Sequence, residues 1–182
     1  MSSTLILNGA NGLKLHKSPL YTTPADWTED EFKEGIMKIE KMIGDSPLSE
    51  KGYDGEIGCQ YGELKHTFTD KQYIRQITMP AGIMLTSQIH KLKHPYFVMQ
   101  GDTTVVTESE VIRIKAPYWG VTKPGTKRLL YIHEETIWIT VHPTKKKTVN
   151  AVVDEVIAKD YDDFENFKAL NSINKIKLGE GE

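Results

Sequence analysis

The stretch from residue 73 to residue 142 constrains the fold most, because turn residues divide it into short runs rich in β-branched and aromatic side chains. Each run has the length of one strand, and several such runs in succession are typical of β-sandwiches and β-barrels. The runs are YIRQITM, IMLTSQIH, YFVMQ, TTVVT, VIRIK, RLLYI and TIWITVH. The sequence therefore predicts an all-β closed sheet over residues 72–143.

The two flanking segments carry little that could form a core of their own. Residues 1–70 are predicted to be an arm with one helix at 28–43, which opens on a capping box formed by Thr28 and Glu31. Apolar residues at helical spacing predict that this helix packs on the outside of the sheet; they are Phe32, Ile36, Ile39 and Ile43. The sequence of residues 149–182 predicts one short helix followed by a polar tail. We expect such arms to become ordered against a partner, in a homo-oligomer or with other assembly proteins.

Composition limits the classes of function. The 182 residues suffice for one domain with its own core. Twenty-three basic and 25 acidic side chains give a net charge of −2, so no nucleic-acid binding is expected. The single cysteine, Cys59, cannot form an internal disulfide, which indicates a reducing compartment. Because there is neither a signal-peptide pattern nor an apolar run near ~18 residues, we expect a soluble protein that is not secreted and has no membrane span.

One stretch bounded by glycines brings histidines close together in sequence. Gly82 is followed by five residues, then Gln88-Ile89-His90, three residues, His94, six residues and Gly101. A strand places residues i and i+2 on one face, so the side chains of Gln88 and His90 are expected to point the same way. This geometry permits a site, although an ordinary buried strand explains the same residues.

A second motif follows in PYWGVTKPGTKR, where Pro117 is followed by five residues, Lys123-x-Gly125, two residues and Arg128. In order and spacing, the two motifs resemble those of the cupin superfamily, whose members are small double-stranded jelly-roll barrels. The resemblance covers residues 72–143. It implies a barrel with a pocket at four positions, namely Gln88, His90, His94 and Arg128.

The residues at these positions differ from those of the metal-binding cupins that they resemble. Those proteins supply three histidines and one carboxylate, whereas here His94 takes the carboxylate position and Arg128 the last histidine position. Arginine stays protonated and has no lone pair to give. Its charge about 4 Å from a divalent ion would cost roughly 8 kcal/mol at an effective dielectric of ~20. We therefore predict no bound metal and no cofactor.

Two other uses of the four residues stay open. They could hydrogen-bond to one another and to the backbone and so plug the barrel, with Glu134 or Glu135 as the counter-charge of Arg128. They could instead form a donor-rich pocket for a small anion such as a carboxylate or phosphate. Three aromatic residues are candidates to line that pocket, although they are core residues first: Tyr96, Trp119 and Trp138.

The remaining histidines are predicted to lie outside any site. His133 begins a charged turn with Glu134 and Glu135, and His142 ends a strand as an edge histidine with its hydrogen bonds satisfied. His16 and His66 lie in stretches predicted as loop. The sequence has no Walker-type loop, nucleophile elbow, Ser-His-Asp order or zincin motif.

The stretches MPAGIMLTSQIHKLKH and APYWGVTKPGTKRLLYIHEETIWITVHPT are also similar to small cupin proteins of tailed bacteriophages. That resemblance implies a non-enzymatic structural or adaptor protein, a virion or assembly component found in the host cytoplasm or the virion. Two alternatives remain. One is an anion-binding sponge or sensor that uses Arg128, and the other is a cupin-type isomerase or oxygenase with His90 or His94 as base.

Overall fold

The structure, a computed structural model, describes residues 27–46, 50–51, 57–58 and 64–177. The helices in this part of the chain are α1 (Glu29–Gly44), α2 (Val149–Val156) and α3 (Tyr161–Lys177). The strands are β1 (Glu50–Lys51), β2 (Ile57–Gly58), β3 (Leu64–Thr69), β4 (Gln72–Met79), β5 (Met84–Thr86), β6 (Ile89–His90), β7 (His94–Val106), β8 (Val111–Lys115), β9 (Tyr118–Thr122), β10 (Leu129–Pro143) and β11 (Ile157–Ala158). The predictions for His16 and Cys59 fall outside the described residues.

Nine of these strands form one antiparallel sheet that is organised by β10. This strand of 15 residues pairs with β7 on one side, and with β5 and then β4 on the other. β7 in turn pairs with β8 and β9, whereas β3 pairs with β4. β6 and β11 form a separate antiparallel pair. The result is a mostly antiparallel β-barrel, which confirms the predicted all-β class.

An apolar core fills the interior, and the alternation of β10 shows how the sequence builds it. Even-numbered residues of β10 are buried from Leu130 to His142 except at Glu134, where the pairing with β7 shifts register. We call the larger cluster of buried residues the apolar core: Ile77, Met79, Leu85, Tyr96, Val98, Val105, Ile114, Leu130, Ile132 and Trp138. Period-two burial is what a strand with one face toward a core requires.

Helix α1 is attached to the barrel by both apolar and charged contacts. The predicted capping box is present, since Thr28 and Glu31 exchange hydrogen bonds. Phe32 and Ile36 are buried, whereas Ile39 and Ile43 are half-buried. Farther along, Glu40 accepts from the Lys127 ammonium group at 2.6 Å and from the hydroxyl of Thr86 at 2.9 Å. The helix thus lies against β5, which belongs to the first motif.

Two pairs of predicted strands are in fact single long strands. YFVMQ and TTVVT both belong to β7, and RLLYI and TIWITVH both belong to β10. Gly101 explains the continuity of β7, because its φ of 95° and its lack of a side chain let it lie against the backbone of β10. A Cβ atom there would lie 2.4 Å from the carbonyl oxygen of Glu135. The charged turn predicted at His133 and Glu134 is therefore wrong, since both residues lie within β10.

Several other boundaries also differ from the prediction. The run IMLTSQIH is interrupted at Ser87 and Gln88, because Ser87 instead exchanges hydrogen bonds with the backbone of Arg128. Strands β3 and β9 lie outside the predicted runs, and each forms by pairing with the edge of a long strand. The C-terminal segment contains two helices rather than one, and Asp160 starts the second by accepting from the Asp163 amide at 2.7 Å.

No helix in the described part of the chain is both long enough and apolar enough to span a membrane.

Candidate metal and anion site

Three histidines from three strands meet inside the barrel, and we call them the histidine cluster. His90 comes from β6, His94 from the start of β7 and His142 from the end of β10. The His94 ring centroid lies 4.2 Å from each of the other two, and those two are 5.4 Å apart. One nitrogen from each ring lies within 4.8 Å of the others. Side chains distant in sequence thus converge on one point.

Strand register places each ring of the cluster. His94 is paired with Thr122 of β9, so both side chains face the interior. His142 shares its face of β10 with Trp138 and Thr140. β6 is held between two segments, because His90 pairs with Ile157 of β11 and its carbonyl oxygen accepts from the Gly125 amide at 2.8 Å.

Each imidazole leaves one buried nitrogen without a hydrogen-bond partner: His90 Nδ1, His94 Nε2 and His142 Nδ1. The Leu92 carbonyl oxygen, 3.1 Å from His94 Nδ1, accepts its proton, which leaves the lone pair on Nε2. His142 Nε2 lies 3.2 Å from the hydroxyl oxygen of Thr140. Buried polar atoms are almost always satisfied in folded proteins, so three orphaned nitrogens at one point call for a ligand.

The cluster is uncharged at neutral pH. Burial lowers the pKa of His94 to about 4 and that of His142 to about 3. Burial also lowers the pKa of His90 well below its usual value, and the neighbouring His94 acts in the same direction. Because metal ligation requires the neutral imidazole, the cluster is already in the protonation state that a metal ion needs.

The donor set fits a first-row transition metal. Imidazole suits Zn, Cu, Fe and Ni, and Zn–N bonds are about 2.0–2.1 Å long, which puts two nitrogens of a tetrahedral centre about 3.4 Å apart. The ring nitrogens, all within 4.8 Å of one another, approach that spacing. His90, His94 and His142 would supply three ligands, the number that catalytic zinc sites use while leaving a further position open.

A cavity of about 30 Å³ lies beside the cluster. Five of its lining residues come from the barrel: Tyr73, Arg75, Gln88, His90 and His142. Val152, Val153 and Val156 of α2 and Ile157 form the other wall, so the C-terminal segment covers this end of the barrel. Since roughly 10–15 Å³ of such volume holds one water molecule, the cavity has room for a ligand of about two or three heavy atoms.

Arg128 lies close to the cluster without an acidic partner. Its side chain is 8% exposed, and a guanidinium nitrogen donates to the hydroxyl oxygen of Thr122 at 3.0 Å. The guanidinium carbon lies 5.2 Å from the ring centroid of Tyr96. No carboxylate of the described residues forms an ion pair with it, so neither Glu134 nor Glu135, the counter-charges considered for a plugged barrel, pairs with Arg128. Burial lowers the pKa of Arg128, which reflects the cost of its uncompensated charge.

The aromatic residues divide between the interior and the surface. Tyr96 and Trp138 stack with ring centroids 4.6 Å apart, directly beyond Arg128. Gly120 makes room for Tyr96, because a Cβ atom there would lie 2.6 Å from the tyrosine oxygen. Trp119 is 68% exposed, so the suggestion that it lines the pocket is wrong.

The structure brings together only some of the residues singled out in the sequence. His90, His94 and Gln88 meet at the cluster and its cavity, and Arg128 lies next to His94 through Thr122. His142, predicted to be a satisfied edge histidine, is instead 2% exposed and belongs to the cluster. His142 lies four residues after the apolar Trp138, and this even spacing on one strand indicates that both side chains face inward.

Two other histidines have structural partners. His66, predicted to lie in a loop, is in β3 and lies 2.6 Å from the hydroxyl of Tyr73. His133 lies 2.7 Å from the hydroxyl of Thr104. Neither takes part in the histidine cluster.

Comparison with known proteins finds likeness in structure only. No family model matches the chain, and no curated protein sequence matches it. A cupin-2 domain protein from Shewanella frigidimarina is 13% identical, with a TM-score of 0.39 over 46% of this chain and 82% of its own. KdgF from a Halomonas species is 16% identical, with a TM-score of 0.41 over 48% and 89%.

A further solved structure, described as a predicted oxalate decarboxylase from Thermotoga maritima, is 14% identical. Its TM-score is 0.41 over 53% of this chain and 89% of its own. None of these three is described as a bacteriophage component, so the phage origin stays a prediction from sequence. One of these three is described as a cupin-domain protein, and at TM-scores of 0.39–0.41 the likeness says nothing about the function of this chain.

Proposed function

We propose that this protein binds one transition-metal ion through His90, His94 and His142. The observation that carries the proposal is the set of three buried ring nitrogens without partners, one from each histidine. Leaving a buried polar atom unsatisfied costs about 1–3 kcal/mol, and a single ion would satisfy all three. A plugged barrel would be expected to satisfy these atoms internally, as the hydroxyl of Thr104 does for His133.

The proposal differs from the sequence-based prediction of no metal because the number of ligands differs. The four motif positions offered two histidines, and His142 supplies a third from outside the motifs. Arg128 occupies a ligand position by spacing, but its guanidinium group is directed to Thr122 and the face of Tyr96. It therefore acts on the ion as a nearby charge and not as a competing occupant.

Such an ion supplies Lewis-acid chemistry, since it polarises a bound ligand or lowers the pKa of a bound water molecule. The chain's own contribution is to hold the three rings, to cover the cavity with α2 and to keep bulk water out. Gln88 also lines the cavity, so its side chain would lie beside a ligand there. A metal-dependent isomerase or oxygenase and a metal-dependent sensor both fit this arrangement.

Metal content per chain tests the proposal. We would strip the purified protein with a chelator, reload it separately with Zn²⁺, Co²⁺ and Fe²⁺, remove free metal and measure metal by elemental analysis. The expected result is one ion per chain for the wild type. His90→Ala and His142→Ala should each lower affinity by at least tenfold, because each removes one of three ligands.

His133→Ala is the matched control, because His133 lies on β10 like His142 but outside the cluster. It should retain the wild-type metal content. Equal metal content in His142→Ala and wild type would contradict the proposed ligand set, and no uptake by the wild type would contradict the proposed function.

A second candidate function, a structural or adaptor role in a homo-oligomer, is favoured by an apolar surface on β7 and β9. Met99, Trp119 and Val121 are 58%, 68% and 45% exposed and point outward from adjacent strands. Within the described residues β9 pairs only with β7, so its other edge is free. A free edge next to an apolar face suits antiparallel pairing with a second copy across a two-fold axis.

Sedimentation separates this candidate from the role predicted for the arms. Trp119→Glu should yield monomers if the β9 face forms the contact, whereas deletion of residues 1–25 should do so if the N-terminal arm forms it. Monomeric wild type at high concentration would rule out both.

A further inference from the structure

The interior next to the histidine cluster contains the buried positive charge of Arg128. Arg128 has no ion pair within the described residues, and the acidic residue that acts on it, Glu108, lies beyond ion-pair distance. The cluster itself contributes neutral rings. A site of this kind repels a bare cation, because charges in a poorly solvated interior interact strongly.

A divalent ion bound to three neutral imidazoles would add two positive charges next to Arg128. Removing charges from water is costly unless opposite charges accompany them. A metal ion in this site therefore needs a negative ligand, and the described residues around the cavity provide none: its lining contains histidine, glutamine, tyrosine, arginine and aliphatic side chains, with no carboxylate.

We infer that the metal ion binds together with a small carboxylate-type anion that occupies the cavity beside His90 and His142. This inference rests on the proposed function and adds the class of ligand to it. The anion would complete the open side of the metal ion and offset the positive charge that the ion adds near Arg128. Metal and anion would then bind cooperatively, each raising the affinity of the site for the other.

The size of the cavity limits the ligand. About 30 Å³ is room for two or three heavy atoms, which is the size of formate or of the carboxylate group of a longer molecule. Val152 and Val156 of α2, 0% and 3% exposed, close the cavity on the outer side. A larger carboxylate would have to displace α2, so the site as it stands selects the smallest members of the class.

The direction in which metal affinity changes when Arg128 is replaced distinguishes this inference from a structural role. If Arg128 only supported the fold, replacing it would weaken metal binding with or without an anion. If it is the charge that couples the two ligands, removing it should relieve repulsion, so that the metal alone binds more tightly. The advantage that the anion confers should shrink at the same time.

We would test this with Co²⁺ as the metal and formate as the anion, on full-length protein stripped of metal. Co²⁺ affinity would be measured by its visible absorption and by calorimetry, in sodium formate and in sodium perchlorate of equal ionic strength. Formamide serves as the uncharged match for formate. Formate should tighten Co²⁺ binding by about tenfold or more, and formamide should leave it unchanged.

Three variants at two arginines complete the design. Arg128→Met should bind Co²⁺ alone more tightly than the wild type and lose most of the gain from formate, whereas Arg128→Lys, which keeps the charge, should retain that gain. Arg113→Met removes the same charge at a side chain that is 56% exposed, and Lys115 remains 3.6 Å from their shared partner Asp102. Arg113→Met should therefore show the Co²⁺ affinity of the wild type and the same gain from formate.

The outcomes separate the inference from the proposed function. Equal Co²⁺ affinity of the wild type in formate and perchlorate would overturn the inference and leave the metal site standing, and this result does not depend on whether Arg128→Met folds. Weaker Co²⁺ binding by folded Arg128→Met in both salts would also overturn it. No Co²⁺ uptake under any condition would overturn both proposals.

Discussion

The apolar core and the histidine cluster both lie in the interior, but their atoms are satisfied to different degrees. Val98 in the apolar core and His94 in the cluster lie on the same strand, four residues apart, and are 0% and 1% exposed. Val98 has only apolar atoms to bury, so its position needs no explanation beyond packing. His94 buries an imidazole nitrogen without a partner.

This contrast separates residues whose burial stabilises the barrel from residues whose burial costs stability and needs another explanation. Burying a leucine-sized apolar side chain contributes about 1.5–3 kcal/mol, whereas burying an unsatisfied polar atom costs about 1–3 kcal/mol. Polar residues that cost stability in one part of a well-packed interior are candidates for function. The following predictions change one region at a time.

The largest effect is expected in the apolar core. Ile132 is fully buried on β10, and Ile132→Ala should lower the free energy of unfolding by about 2–5 kcal/mol, because it removes buried methylene groups and leaves a cavity. Chemical denaturation of the metal-free protein would measure this. A loss below ~1 kcal/mol would mean that the interior repacks freely and that the two regions are not as distinct as the burial suggests.

Acidification should lower the stability of the metal-free protein through the histidine cluster. The folded-state pKa values of His94 and His142, about 4 and about 3, lie below the ordinary 6.5. As the pH falls below 6.5 the unfolded chain therefore takes up protons first, so the stability present above pH 6.5 is lost as the pH falls toward 4. For the metal-free protein the loss between pH 6.5 and pH 5 is up to about 2 kcal/mol per histidine.

Denaturation curves of the metal-free protein at several pH values would check this. Ile132→Ala should show the same pH dependence as the wild type, since it lies outside the cluster. A flat profile from pH 7 to pH 5 would indicate that solvent reaches the cluster and that its rings are protonated in place.

How much of this was accessible from sequence depends on what each feature requires. The strand-rich runs and two spaced motifs were enough for the barrel and for two of the three clustered histidines, His90 and His94. The strand ends could not be predicted from sequence. Gly101 and the shifts in pairing between β7 and β10 let both strands continue past residues that usually end a strand. These are tertiary contacts, which local propensity does not encode.

The same limit explains the errors at the site. His142 lies outside the motifs, and placing it required the register of β10 beyond the bulge near Glu134. The partner of Arg128 could not be predicted, because Thr122 lies on β9, a strand outside the predicted runs. Both residues are positioned by pairing between distant segments, whereas the motif residues His90 and His94 are only four positions apart.

The smallest effect on stability, and the sharpest test of the comparison, is expected for a double variant in the cluster. His142→Leu with Thr140→Val replaces both members of one hydrogen-bonded pair by apolar groups of similar shape. Such replacements are nearly neutral or stabilising, so the metal-free double variant should unfold within about 1 kcal/mol of the wild type at neutral pH. It should lose less stability on acidification, since one shielded histidine is gone. It should also lose the rise in melting temperature that metal confers on the wild type. A loss of stability approaching that of Ile132→Ala would show that His142 serves the fold, and the distinction between the apolar core and the histidine cluster would then fail at the residue on which the metal proposal most depends.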